Sequence, residues 1–170
     1  MISYFQKFKG IQIEKSPSVP LKSIMLTWFG SFLAIAAVAL ATNITHEPLV
    51  LGSFGASCVL LFGFPKSPFS QPKNVILGHF LSSLIGLIFY HYVGDAWWSL
   101  SLALATAISI MIMTQTAHPP AGSNPVIVFL TGANWEFLIT PTLIGSIILV
   151  IVALFYLNLD KTKQYPSNWF

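Results

Sequence analysis

The sequence is poor in the charged residues with which soluble proteins cover their surface. It contains no arginine, and its eight lysines and five acidic residues make up only 8% of the 170 residues. A soluble domain usually has about 25% charged residues. Hydrophobic residues account for 55% of the chain. This composition argues against a water-soluble globule and predicts an all-α integral membrane protein whose main partner is the lipid bilayer.

Residue sets that hold metals or perform catalysis are also missing. Cys58 is the single cysteine, which excludes an intrachain disulfide and a cysteine-based metal site. The four histidines are not spaced as in zinc motifs. The apolar runs contain no paired carboxylates and no Ser–His–Asp set. We therefore expect no enzyme activity, no cofactor and no metal, and the scattered lysines give no basic face for nucleic acid.

The apolar residues fall into six runs. A helix needs about 20 residues to cross a bilayer, and four runs are long enough: Ser23–Ala41, Asn74–Tyr92, Ala96–Thr116 and Phe137–Asn158. Two are shorter, Leu49–Phe64 and Ala121–Thr131, and glycine, serine or proline residues interrupt their beginnings. Short, interrupted segments of this kind are typical of the broken helices of transporters. Segments 2 and 5 are therefore predicted to be short broken helices.

The lysines favour six membrane crossings over four. With six, all eight lysines lie on one side, and Glu47, Asp95 and Glu136 lie on the other. With four, Lys66 and Lys73 would face outward, against the rule that lysine marks the cytoplasmic side. The prediction is a multi-pass protein of the cell inner membrane with both termini cytoplasmic. It comprises a leader (1–21), a transmembrane domain (22–158) and a tail (159–170).

A weak internal repeat supports the count of six. At an offset of 70 residues, Trp28 matches Trp98, and Gly52-Ser53 matches Gly122-Ser123. The order long, short, long occurs twice along the chain. Because a repeated unit of three crossings must be inverted in the membrane, we expect an inverted 3+3 repeat.

The two interrupted beginnings predict a solute site. If their helix N-termini meet near the midplane from opposite sides, their unpaired N–H groups and partial positive charge would bind an anion without a cationic side chain. The candidate substrate-binding residues are Gly52, Ser53, Phe54, Gly55, Ala56, Ser57, His118, Pro119, Pro120, Ala121, Gly122, Ser123 and Asn124. Two of the histidines, together with one glutamine, are candidates for a proton relay or path: His79, Gln115 and His118.

Simpler interpretations of the same residues remain open. Glycine and serine in membrane helices often form close-packing surfaces, and Pro119-Pro120 alone would only end a helix. An imidazole within a span can carry a proton, but His79 and His118 could equally well be hydrogen-bonded packing residues.

Several stretches together resemble the HPP family of bacterial and plastid membrane proteins. They are GSFGASCVLLFGFPKSPFSQPKN, followed by GHFLSSLIG, and TAHPPAGSNP, followed by PTLIGS. The family takes its name from the His-Pro-Pro found here at His118-Pro119-Pro120. The resemblance implies transport, since cyanobacterial and plastid members are associated with nitrite movement. The family is often described with four spans, whereas the lysines of this chain predict six.

The leading hypothesis is a transporter or channel for a small anion, with nitrite as the first substrate to test. A pore for a small neutral solute or a weak acid is one alternative, and a non-transporting membrane subunit is another. A homo-oligomer is possible in each case, because a small six-segment unit could need a second copy to shield its site.

Overall fold

The computed structural model is all-helical over the residues that it describes, which are 8, 18–161 and 164–169. Six α-helices follow one another: α1 (Leu21–Thr45), α2 (Gly52–Cys58), α3 (Pro72–Ile88), α4 (Trp97–Met113), α5 (Asn124–Thr131) and α6 (Ile144–Leu157). Wider π turns extend three of them at Val59–Gly63, Phe89–Val93 and Ile139–Leu143. Short 3-10 turns lie at Pro68–Ser70, Pro119–Ser123 and Trp135–Leu138.

Three of the four long predicted spans are helices long and apolar enough to cross a bilayer. With their π and 3-10 extensions they cover Leu21–Thr45, Pro72–Val93 and Trp135–Leu157. The fourth, predicted over Ala96–Thr116, forms the shorter helix α4, because the chain turns after Met113 and Gln115 adopts a positive φ of 56°. The membrane assignment and the helical fold class are thus confirmed.

The two short segments have the interrupted form that their sequences predict. Leu51 is extended, with φ −112° and ψ 144°, and α2 begins at Gly52. In the second short segment, His118 is extended, with φ −132° and ψ 100°, and a 3-10 turn through Pro119–Ser123 leads into α5. Proline supports this second start because its ring fixes φ and it lacks the N–H that a first turn leaves unpaired.

The helices pack closely wherever a glycine faces a neighbour. A Cβ on Gly30 would lie 2.5 Å from the Phe62 ring, and one on Gly145 would meet the Phe54 ring and the Leu49 carbonyl oxygen. On α3, a Cβ on Gly86 would lie 2.8 Å from the Cα of Pro125. Small residues permit such close helix contacts in membranes, where dispersion replaces the hydrophobic effect as the driving force.

Two groups of residues mark opposite ends of the bundle. Lys22, Pro65 and Asp160 border one cleft, which joins the start of α1 to the end of α6. A second cleft of about 590 Å³ is bordered by Glu47, at the end of α1, and Glu136, just before α6. Of the lysines used to predict sidedness, Lys7, Lys9, Lys15 and Lys163 lie outside the described residues.

The C-terminal segment folds back onto the loop that precedes α3. The Tyr165 hydroxyl donates to the Ser70 carbonyl oxygen at 2.8 Å, and the Asn158 side chain bonds both the N–H and the carbonyl oxygen of Tyr165. The Ser167 N–H donates to Gln71 Oε1 at 2.8 Å. Burial raises the pKa of the Tyr165 hydroxyl, so this donor stays protonated. The predicted tail therefore packs against the helical domain.

We expect Gly86→Ala to destabilise the protein, because its Cβ would meet the backbone of Pro125 and not a flexible side chain. Overpacking of this kind lowers the free energy of unfolding by about 1–3 kcal/mol. Gly63→Ala is the matched control, since its nearest contact would be Thr27 Cγ2 at 3.9 Å. Unfolding in mixed detergent micelles measures both variants, and equal stability of the two would contradict the packing described here.

Candidate functional site: a buried histidine–serine–histidine–asparagine cluster

A group of polar side chains lies buried in the middle of the apolar bundle. Ser57 Oγ is 2.9 Å from His79 Nε2 and 2.8 Å from His118 Nε2, so one hydroxyl bridges two imidazoles. Asn124 Nδ2 lies 3.1 Å from the other nitrogen of His79, Nδ1. The side chains of these four residues are fully buried. We call Ser57, His79, His118 and Asn124 the buried polar cluster.

The hydrogen-bond partners fix which ring nitrogens carry protons when both imidazoles are neutral. His118 Nδ1 is 2.7 Å from the Phe69 carbonyl oxygen, which can only accept, so this nitrogen carries the proton. His118 Nε2 then accepts from the Ser57 hydroxyl, and the Ser57 oxygen accepts from His79 Nε2–H. His79 Nδ1 is left to accept from Asn124 Nδ2. Every hydrogen bond in this series, from the Phe69 carbonyl oxygen to Asn124, then has one donor and one acceptor.

Asn124 continues this series of hydrogen bonds toward the residues just before α6. Its Nδ2 also donates to Ser83 Oγ at 2.9 Å, and Ser83 bonds Thr142 Oγ1 at 3.0 Å. The oxygen of the same amide, Asn124 Oδ1, is buried without a hydrogen-bond partner, as is the hydroxyl of Ser53 in the first turn of α2. Unpaired buried polar atoms are costly, so these two atoms mark places where a polar solute would gain bonds.

One face of α3 holds the HPP segment in place. Gly78, Ser82 and Gly86 recur at four-residue spacing and therefore share a face of the helix. A Cβ on Gly78 would lie 2.8 Å from His118 Cβ, and Ser82 donates to the Ala121 carbonyl oxygen at 2.6 Å. Near the start of α3, Asn74 donates to the Ala117 carbonyl oxygen at 2.9 Å. Because side chains of α3 satisfy its carbonyl groups, the non-helical backbone can lie inside the bundle.

The structure brings together some of the predicted site residues and leaves others apart. Ser57, His79, His118 and Asn124 form the cluster, and the Phe54 ring packs edge-on against His79 at 5.2 Å between centroids. Other predicted residues do not belong to the cluster. Pro120 and Ala121 are buried elsewhere in the bundle, and the remaining ones are partly or fully exposed: Gly52, Gly55, Ala56, Gln115, Pro119, Gly122 and Ser123. That these residues bind a solute stays a prediction.

The predicted meeting of two helix N-termini stays a prediction, and the clefts show what lies beside each short helix. Gly52, at the start of α2, borders the same cleft as Ile127 and Thr131, in the second half of α5. Ala56 and Val59, further along, lie beside Pro119 and Ser123 instead. The contact that the structure shows between the two short segments is the hydrogen bond between Ser57, in α2, and His118, which precedes the turn into α5.

Sequence reasoning missed several residues that complete the site: Asn74, Gly78, Ser82, Ser83 and Thr142. A signal for two of them was present, because Gly78-xxx-Ser82-xxx-Gly86 is the spacing of a close-packed helix face. Ser83 and Thr142 gave no such signal, since which side chain meets Asn124 depends on how α3 and α6 pack.

Comparison with models of known protein families agrees with the resemblance noted in the sequence. The family model of the HPP transmembrane region matches residues 16–166, most of the chain. The chain belongs to the HPP family. The resemblance seen in the sequence is therefore confirmed, and the three residues that name the family begin at His118, whose two ring nitrogens are both hydrogen-bonded in the cluster.

Two transmembrane proteins of Dictyostelium discoideum are similar to this HPP chain over 99% of its length, at 36% and 35% identity. The chain covers 64% of the first relative and 58% of the second, so it spans less than two thirds of their length. No solved structure matches it significantly.

We expect Ser83→Ala to destabilise this HPP protein, because it leaves Asn124 Nδ2 and Thr142 Oγ1 each without one partner in a buried place. An orphaned buried polar group costs about 1–3 kcal/mol. Ser99→Ala is the control, since the Ser99 hydroxyl is buried without a partner and its removal breaks no bond. Detergent unfolding compares the two, and a larger loss for Ser99→Ala would argue against the network.

Proposed function

We propose that this HPP protein transports a small anion across the membrane, and that nitrite is the first substrate to test. The solute binds beside the buried polar cluster, between the short helices α2 and α5. The observation that carries the proposal is the cluster itself, in which two imidazoles, a hydroxyl and an amide share bonds inside an apolar bundle.

The position of the cluster supports a transport role because burying such groups in a membrane is expensive. Ionisable residues within spans are rare, and they mark solute or proton pathways. Ordinary helix packing would be served equally well by apolar side chains. Of the two atoms that lack partners, the Ser53 hydroxyl can donate to an anion, whereas Asn124 Oδ1 can only accept a hydrogen bond, such as one from the proton of a weak acid.

The chemistry of the site suits an anion. Among the described residues, no carboxylate belongs to the cluster or bonds to it. The Ser53 hydroxyl is a donor without a partner. A protonated imidazole would add a positive charge. Neutral donors near a chargeable histidine can hold a small anion without a permanent cation.

Two packing relations support six crossings and an inverted repeat. In such a repeat, α1, α2 and α3 correspond to α4, α5 and α6. The contact of α1 with α6 then corresponds to the contact of α4 with α3, and both are among the most extensive in the bundle. The two broken helices, α2 and α5, occupy equivalent places in the two units. We propose this arrangement for transport, with the lysine-bearing end cytoplasmic.

A pore for a weak acid in its uncharged form is a second candidate. The cleft that leads to the start of α2 is bordered by Glu47 and Glu136. Two carboxylates at this mouth repel an approaching anion but have no such effect on a neutral molecule. A transporter of free anions would therefore work against its own cleft unless a proton travels with the anion.

Purified protein reconstituted in liposomes tests the proposal. We expect saturable nitrite uptake above that of protein-free liposomes. His79→Phe and Asn124→Leu should reduce its rate by about tenfold, because each leaves a buried polar group without its partner at a cost of about 1–3 kcal/mol, and about 1.4 kcal/mol is tenfold. His79→Phe keeps an aromatic ring beside Phe54, which limits the structural damage.

Ser99→Ala is the control for these variants, and nitrate, formate, bicarbonate and chloride are the competitors that define selectivity. Uptake that no anion inhibits would favour the neutral-solute pore. No flux for any of these solutes would leave the protein a non-transporting membrane subunit and contradict the proposal.

A further inference from the structure

We propose that the buried polar cluster holds one exchangeable proton, bound at His118 Nε2 against the Ser57 oxygen, and that this proton accompanies the transported anion. The inference rests on the proposed function, but the proton site itself can be tested without transport. Its basis is the donor and acceptor pattern around the Ser57 hydroxyl.

In the neutral cluster, the single hydrogen of Ser57 goes to His118 Nε2, as derived above. Ser57 Oγ also lies 3.1 Å from the Ser53 carbonyl oxygen, one turn earlier in α2. This carbonyl is a second acceptor for the same hydrogen. The hydroxyl therefore has two possible directions, and the charge on His118 decides between them.

When a proton from water binds to His118, an N–H bond forms at Nε2 and both ring nitrogens become donors. Nδ1–H keeps its bond to the Phe69 carbonyl oxygen. Ser57 turns its hydrogen to the Ser53 carbonyl oxygen, and its two lone pairs accept from His118 Nε2–H and His79 Nε2–H. No donor loses its partner. Release of the proton to water reverses each step.

A second proton has no such accommodation. It would have to bind His79 Nδ1, which faces the donor Nδ2 of Asn124. The two ring centroids are only 5.0 Å apart, so two positive charges would also repel each other. The geometry thus limits the cluster to one proton.

Few charged or titratable groups lie on the described elements packed against the two rings. The helices α4 and α5 carry no charged residue, α2 contributes only the thiol of Cys58, and α3 contributes Lys73 in its first turn. From α6 comes only Tyr156, whose hydroxyl donates to the Leu26 carbonyl oxygen. The charge of the cluster is therefore set by its own proton and by a bound solute.

A bound anion supplies the missing reason for protonation. An anion near an imidazolium forms an ion pair, whereas either charge alone in the bundle is costly. Loading both neutralises the site, so proton and anion should enter and leave together. This also explains how an anion carrier can tolerate Glu47 and Glu136 at one mouth.

The proton site is tested by nuclear magnetic resonance of the full chain labelled with 15N-histidine in detergent or nanodiscs. The four histidines give four pairs of ring signals, assigned with His79→Phe and His118→Phe. At neutral pH we expect His118 to be protonated on Nδ1 and His79 on Nε2, and on acidification the pair should gain one proton. Protonation of His118 on Nε2 alone, or the gain of two independent protons, would overturn the inference.

The coupling is tested in liposomes that contain a trapped pH indicator. We expect wild-type nitrite uptake to acidify the lumen by one proton per nitrite, after subtraction of protein-free liposomes, and to be insensitive to membrane potential. In Ser57→Ala the ratio of protons to nitrite should fall toward zero, whatever rate remains. Ser99→Ala, which removes an equally buried hydroxyl, should keep the wild-type ratio.

The outcomes separate the two proposals. Nitrite uptake by the wild type without proton entry would overturn the coupling and leave anion transport standing. The absence of any anion flux would defeat the proposed function and the coupling together, while the resonance experiment would still decide the proton site. If Ser57→Ala does not fold, His118→Gln takes its place, because it removes the ring that binds the proton.

Discussion

The structure depends on one hydroxyl that joins two imidazoles. Ser57 belongs to α2, His79 to α3 and His118 to the segment that leads into α5, so three separate parts of the chain meet at a single oxygen atom. In a bilayer the alternative to this contact is three unpaired polar groups in an apolar medium, each of which costs several kcal/mol. The position of the short helices follows from satisfying these groups together.

The interrupted helices make the contact possible. A continuous helix through residues 115–123 would bond its own carbonyl groups and keep the ring of His118 on its surface. Instead the chain is extended at His118, and α3 satisfies the exposed carbonyl groups through Asn74 and Ser82. Glycine at position 78 leaves the space in which His118 lies. The non-helical backbone at His118 is therefore stable in the bundle because the polar face of α3 satisfies its carbonyl groups.

Much of the fold was predictable because the membrane restricts it strongly. Apolar runs flanked by charge gave the long helices, and the glycine–serine and proline patterns located the breaks before Gly52 and Asn124. Membership of His118 and Ser57 in a site was predicted from opposed helix dipoles, whereas the contact that joins them in the structure is a hydrogen bond between their side chains. Which residues of two short helices contact each other depends on how far one helix is displaced along the other. The periodicity of the sequence does not contain that distance.

The rest of the site could not be predicted because it depends on pairing between distant helices. Ser83 and Thr142 are ordinary small polar residues in sequence, and they matter only because α3 and α6 bring them to Asn124. Glycines show the same limitation. Gly52 and Gly55, which were predicted to be substrate-binding residues, have open space around them, whereas a Cβ on Gly78 or Gly145 would meet neighbouring atoms.

The central claim is that Ser57 and His118 act as one energetic unit, and a double-mutant cycle tests it most directly. The free energies of unfolding of Ser57→Ala, His118→Phe and the double variant would be measured in mixed micelles. The account predicts a coupling energy between about 0.5 and 3 kcal/mol, as for residues that share a hydrogen-bond network. Additive effects, within about 0.5 kcal/mol, would show that the two side chains act independently and would contradict the account.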